Sequence, residues 1–175
     1  MIKSKFFIII CCFVSFYGYS QDKITINNAP PLEGIIQKED LLEPTYVYWY
    51  EKNNKDYKPE AAVVKQLQKK FKNISIKAFM GAWCQDSRLL VPKFYKLLEL
   101  SDFDEDNLEM IAVNRAKKTK DNLQKGYKVT RVPTFIFYKD GKEIGRFVEY
   151  PIENLEEDLL KIVSEKPYKH PYSKQ

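Results

Sequence analysis

Apolar residues recur along this chain in two rhythms, one of three to four residues and one of two. Val64, Leu67 and Phe71 mark one face of a helix, and Ile74, Ile76, Ala78 and Met80 then alternate as a strand. Leu90, Phe94, Leu97 and Leu98 return to helical spacing, and "MIAV" at 110–113 reads as a buried strand. A shorter helix is predicted around residues 119–126. "TFIFY" and "EIGRFVEY" are two strands joined by Asp140-Gly141, a pair that two-residue hairpin turns favour. Leu155, Leu159, Ile162 and Val163 form a closing helix. Helix, strand, helix, strand, helix, then a hairpin and a last helix imply an α/β fold, with a mixed central sheet and helices on both faces.

This pattern occupies residues 60–165 and is flanked on both sides. Residues 21–59 form an N-terminal extension punctuated by Pro30-Pro31, Gly34 and Asn53-Asn54. In it Leu41, Leu42, Tyr46 and Trp49 are spaced for one helical face, so a helical extension packed on the domain is expected. Residues 166–175 are polar and contain proline, the composition of a flexible tail. The first twenty residues differ from everything after them. Lys3 and Lys5 precede the apolar run "FFIIICCFVSFY", and Gly18-Tyr19-Ser20 then lead to Gln21. A basic start, a short apolar run and small residues near a cleavage point describe a secretory signal peptide over 1–20. The run is shorter than the roughly 20 apolar residues that span a bilayer. Ile10 stands before Cys11, where lipoprotein processing requires a small residue. The expected location is therefore exported: the periplasm or cell envelope after cleavage.

Composition narrows the chemistry. With 175 residues at 44% hydrophobic content the chain has enough apolar material for one globular core and too much for a disordered segment. The formal charge of +5 falls to +3 once Lys3 and Lys5 leave with the signal, because no acidic residue leaves with them. So modest a charge on an exported domain argues against nucleic acid as a partner. Cys11 and Cys12 leave as well, so Cys84 remains as the single thiol and no internal disulfide can form. The one histidine, His170, lies in the tail. One cysteine and a distant histidine do not make a tetrahedral metal site or a Cys-His hydrolase, so no metal and no other cofactor is expected.

The stretch "GAWCQDSRLLVP" at 81–92 carries the candidate chemistry. A cysteine at the first turn of a helix meets the positive end of the dipole and free backbone N–H groups, which favour the thiolate. Ser87, three residues on, lies on the same side of the turn, where its hydroxyl either faces the sulfur or merely serves the helix start. Asp86 suits a helix start, but its charge opposes a thiolate.

The chain resembles the thioredoxin family over residues 60–165. "WCQDS" at 83–87, Pro92 eight residues after the cysteine, and "RVPTF" at 131–135 ahead of the hairpin carry the resemblance. Within the family, "GAWCQDS" looks most like bacterial envelope proteins with a W-C-x-D-S or W-C-x-D-C site. The resemblance implies a cis bond before Pro133, facing Cys84. It also implies a substrate groove formed by Trp83, Val132, Pro133 and Thr134. Taken as plain sequence, Trp83 equally suits a core and Pro133 equally suits a turn.

Four positions depart from the family pattern. Ala78 replaces a buried aspartate, Met110 a lysine facing it, Glu149 a glycine beside the site, and Ser87 the resolving cysteine. Glu149 thus brings a carboxylate close to Cys84, as a proton acceptor, a like charge opposing the thiolate, or a part of the groove rim. Gly81 stands where peroxiredoxins carry threonine. The implied function is monothiol thiol–disulfide exchange, with Cys84 as nucleophile and Ser87 and Glu149 as its helpers. Its partners are protein or small-molecule disulfides and an external thiol that resolves the mixed disulfide. The alternative is a redox-silent module that binds a partner through the cis-proline groove. Arg115, Lys117, Lys118, Lys120, Lys125, Lys128 and Arg131 form a basic stretch leading to that proline, either a solvated face or an attractor of anionic partners. The chain is expected to act as a monomer.

Overall fold

The computed structural model describes residues 31–173, so the expected signal peptide and residues 21–30 of the extension lie outside the described residues. A five-stranded sheet organises the chain in the order β1-β3-β2-β4-β5. The strands are β1 Gly34–Ile36, β2 Ile74–Met80, β3 Leu108–Ala112, β4 Thr134–Lys139 and β5 Lys142–Val148. β2 runs parallel to β3 and antiparallel to β4, while β1 with β3 and β4 with β5 are antiparallel. The parallel pair needs a long crossover, and helix α3, Gln85–Leu100, supplies it. The β4–β5 hairpin closes on Asp140 (φ 51°) and Gly141 (φ 76°), the two left-handed residues that a twisted two-residue turn demands. The mixed sheet and the α/β class are as the hydrophobic pattern implies.

Alternation along β2 divides the interior in two. Ile74, Ile76, Ala78 and Met80 face a large cluster with Met110, Phe135 and Phe137. Into it pack residues of α1 Val47–Asp56, α2 Ala61–Lys70, α3 and α4 Leu155–Val163. Phe94 of α3 stacks on Phe135 at 4.0 Å between ring centres, and Phe135 on Phe147 at 5.4 Å. Phe79, Ile111 and Ile136 point the other way, into a second cluster that Leu123, Tyr127 and Val129 cover. The helix predicted around 119–126 does not form there. Asn122 (φ 56°) and Gly126 (φ 90°) are left-handed, and Thr119 Oγ1 accepts the Leu123 N–H at 2.9 Å. Side chains that satisfy the backbone locally in this way displace the helical ladder, so turns cover this face.

The extension is bound to the domain at several points. β1 pairs along β3, with Gly34 opposite Ala112 and Ile36 opposite Met110. The single helical face expected over 41–49 is split in two. Leu41 is buried within a 3-10 turn, Lys38–Leu42, whereas Leu42 is exposed and α1 begins only at Val47. Pro44 explains the break, because it holds Glu43 extended (ψ 150°). α1 then braces α3. Pro92 has no N–H to offer the Arg88 carbonyl one turn back, and Asn53 Nδ2 donates to that carbonyl at 3.0 Å instead. Asn54 Nδ2 donates to the Pro92 carbonyl at 3.0 Å, and Lys96 Nζ donates back to the Asn54 carbonyl at 2.8 Å. The tail is drawn back along the domain: the Tyr168 hydroxyl donates to Asp158 at 3.1 Å and the Tyr172 hydroxyl donates to Glu149.

Candidate functional site

Cys84 is the N-cap residue of the 16-residue helix α3, with φ −90° and ψ 129°, and is half-buried. Its N–H donates to the Gly81 carbonyl at 2.8 Å, which tightens the loop leaving β2. Its thiol donates to the Val132 carbonyl at 3.2 Å. Val132 is joined to Pro133 by a cis peptide bond, and the Pro133 carbonyl accepts the Glu149 N–H at 2.8 Å. Two segments 48 residues apart in sequence are thereby brought together at the sulfur.

Trp83 lies flat against the same loop. Its Nε1–H donates to the Val113 carbonyl at 2.8 Å, and a Cβ on Gly81 would fall 2.6 Å from its ring. Glycine at 81 is therefore a requirement of the tryptophan's position. The Arg115 guanidinium sits 5.4 Å from the centre of the Trp83 ring.

Ser87 is fully buried, and its Oγ accepts the Gly81 N–H at 3.2 Å. Together with the Cys84 N–H this satisfies both backbone groups of Gly81. The expectation that the hydroxyl faces the sulfur thus meets a specific competing partner. Thr134 also has its own bond: its Oγ1 donates to the Arg131 carbonyl at 2.8 Å, and it lines a different cavity, with Arg146 and His170. Burial and the neighbouring Arg146 charge hold the His170 imidazole below its ordinary pKa.

A small cavity of about 110 Å³ brings Cys84 together with Trp83, Val132 and Glu149, and also with Lys117 and Arg131. Its volume is that of about four waters. Glu149 has φ 66°, and its side chain is 16% exposed. One carboxylate oxygen lies 3.8 Å from the Arg131 guanidinium, and the other accepts the Tyr172 hydroxyl. Arg131 also stands over the Tyr172 ring at 5.0 Å. Of the basic stretch read in the sequence, Lys117 and Arg131 reach the cavity, whereas Tyr172 and the backbone of Gly81 were not among the residues expected at the site. Two tyrosines within an otherwise polar tail were the available sign of packing.

Ala78 and Met110, which replace the family's polar pair, are direct partners across β2 and β3, and both are buried in the main core. Cys84 packs on the other cluster, with Phe79, Ile111, Val113, Val132 and Ile136, so its buried side is apolar. The arrangement offers one thiol at a helix start, open to a cavity, with no second thiol among the described residues.

A family model described as thioredoxin matches residues 39–161. A thioredoxin-like protein of Acanthamoeba polyphaga mimivirus is 26% identical over 89 residues, which is 51% of this chain and 62% of that protein. The chain therefore spans less than two thirds of that relative's length. Among solved structures, Fasciola hepatica thioredoxin is 25% identical with a TM-score of 0.38, over 61% of this chain and 93% of that one. Mitochondrial thioredoxin 3 of Saccharomyces cerevisiae is 21% identical with a TM-score of 0.37, over 60% and 85%. With the family match running from the turn before α1 into the last turn of α4, and Cys84 inside it, the chain belongs to the thioredoxin family, a membership that supports a thiol–disulfide oxidoreductase type of function in general.

Proposed function

We propose that this protein is an exported monothiol exchanger that forms mixed disulfides through Cys84. The observation that carries the reading is the pairing of an accessible cysteine at the head of α3 with a buried serine, Ser87, at the next turn. In the exchange, Cys84 gives up its proton and the thiolate attacks one sulfur of a disulfide. A new sulfur–sulfur bond forms as the old one breaks, and the departing sulfur leaves as a thiolate with the electron pair. Glu149 is the one carboxylate among the residues lining the cavity, and we assign it to accept the Cys84 proton. A thiol from outside then attacks the mixed disulfide and releases Cys84.

Export rests on the sequence of residues 1–20 and is tested by intact mass: a native chain that starts near Gln21 is the expected result, and recovery of the full-length chain from the membrane fraction refutes it. The exchange is tested with 2-hydroxyethyl disulfide and the mature chain from Gln21 onward, in which Cys84 is the single thiol. One stable adduct per chain is expected by mass spectrometry, lost in Cys84→Ser, together with slow insulin reduction. Insulin turnover as fast as that of a two-cysteine thioredoxin refutes the monothiol reading. Absence of any adduct leaves the redox-silent binding module in its place.

A further inference from the structure

Resting on the monothiol reading, we propose that the Cys84 site selects disulfides bearing a carboxylate beside the attacked sulfur, with Lys117 and Arg131 as the groups that hold it. Both cations line the cavity into which Cys84 opens. Lys117 is half-buried and has no carboxylate partner among the described residues. Its place is set by the backbone: it adopts φ 59°, and its N–H donates to the Asn114 carbonyl at 2.8 Å. Asn114 Oδ1 accepts the N–H groups of Ala116 and Lys118 at 2.9 and 3.2 Å, which closes that turn. This left-handed turn fixes the backbone of a lysine that lines the same cavity as the thiol.

Arg131 keeps donors available for a ligand, because its approach to Glu149 is 3.8 Å, longer than a hydrogen bond, and its side chain is half exposed. Arg115, over the Trp83 ring, adds a third positive group to the rim. Opposing them are Glu149, whose carboxylate accepts the Tyr172 hydroxyl, and Asp86 in the first turn of α3. The positive end of α3 tips this balance further toward an anion. The cavity is large enough for one carboxylate-bearing group, so the acidic group belongs to the substrate's immediate flank. Either a small dicarboxylate disulfide or an acidic stretch of polypeptide supplies that chemistry.

The test uses the mature chain from Gln21 onward, whose single thiol is Cys84, with three aliphatic disulfides of similar reactivity: 3,3′-dithiodipropionate, 2-hydroxyethyl disulfide and cystamine. Rates of adduct formation are divided by those of free cysteine with the same probes, at low and high salt. The expected order is anionic, neutral, cationic, with the anionic probe ahead of the neutral one by about fivefold or more at low salt and less at high salt. Lys117→Glu should collapse or invert that ratio, and Arg115→Glu should lower it if the first variant fails to fold. Cystine peptides flanked by glutamate or by lysine form a second arm. Preference among the small probes supports a small-molecule source, and preference confined to the peptides supports a polypeptide source. Ratios equal to those of free cysteine in both arms overturn this proposal and leave monothiol exchange standing, whereas absence of all adducts overturns both.

Discussion

Ser87→Ala separates a hydroxyl that holds the loop from one that serves the sulfur. Ser87 lies fully buried in the first turn of α3 and accepts the N–H of Gly81, itself buried, at 3.2 Å. The Gly81 carbonyl is already engaged by the Cys84 N–H. Alanine leaves the Gly81 N–H without an acceptor, and an unsatisfied buried donor costs about 1–3 kcal/mol. The 3.2 Å length is at the long end for N–H···O, which places the loss toward the lower part of that range, at about 1–2 kcal/mol. Alanine's better helix propensity returns roughly 0.5 kcal/mol. The net loss is about 0.5–1.5 kcal/mol, or a fall in Tm of roughly 1–6 °C for a chain of this size. Urea unfolding followed by circular dichroism measures the first quantity, and the rate of Cys84 alkylation by iodoacetamide measures the second. Because the hydroxyl oxygen is engaged by Gly81, alkylation should change by less than about twofold. A variant of unchanged stability whose alkylation slows by about tenfold would refute this assignment and return Ser87 to the chemistry of the thiol.

Ser87→Cys puts a second thiol one helical turn from Cys84, so the mature variant should lose both free thiols on oxidation and, once reduced and with dithiothreitol as electron source, reduce insulin much faster than the parent; two free thiols after oxidation would contradict this. Gly81→Ala forces a Cβ to within 2.6 Å of the Trp83 ring, so the ring must move and its bond to Val113 breaks, which should red-shift its fluorescence; an unchanged spectrum would count against the packing described. Glu149→Gln removes the carboxylate of the cavity and should slow disulfide attack near neutral pH with little loss of stability, and an equal rate would deny Glu149 a chemical role. Burial pushes the hydroxyl pKa values of Tyr50, Tyr57, Tyr95 and Tyr168 well above the ordinary tyrosine value, with Glu156 adding to the shift at Tyr57. Since the folded values are raised, the stabilisation is complete below the unfolded pKa of about 10 and is lost as the pH climbs toward the folded values. Absorbance near 295 nm should therefore show these tyrosines ionising together with alkaline unfolding, and normal titration of all of them in a folded chain would refute it.

What local rhythm encodes, the sequence by itself determined. β2 begins and ends at Ile74 and Met80, where the apolar alternation does, and the β4–β5 turn falls on Asp140-Gly141. Both follow from backbone sterics and from the period of side chains on a pleated strand, which neighbouring residues settle among themselves. The placement of Cys84 at a helix start was legible for the same reason. Trp83, Val132 and Glu149 were legible as its neighbours through the resemblance, because a shared fold brings the same sequence positions together. Which partner each polar group takes was decided by tertiary structure alone. Ser87 lies at helical spacing from Cys84, yet its oxygen accepts from Gly81, whose position depends on the bend after β2. Residues 119–126 read as a short helix, but Thr119, Asn122 and Gly126 satisfy the backbone in turns while Leu123 and Tyr127 still reach the sheet. Tyr172 meets Glu149 and Arg131 only once the chain beyond α4 doubles back. Periodicity specifies which face of an element is buried, whereas a hydrogen bond or an ion pair between distant residues depends on where two separately folded elements come to rest.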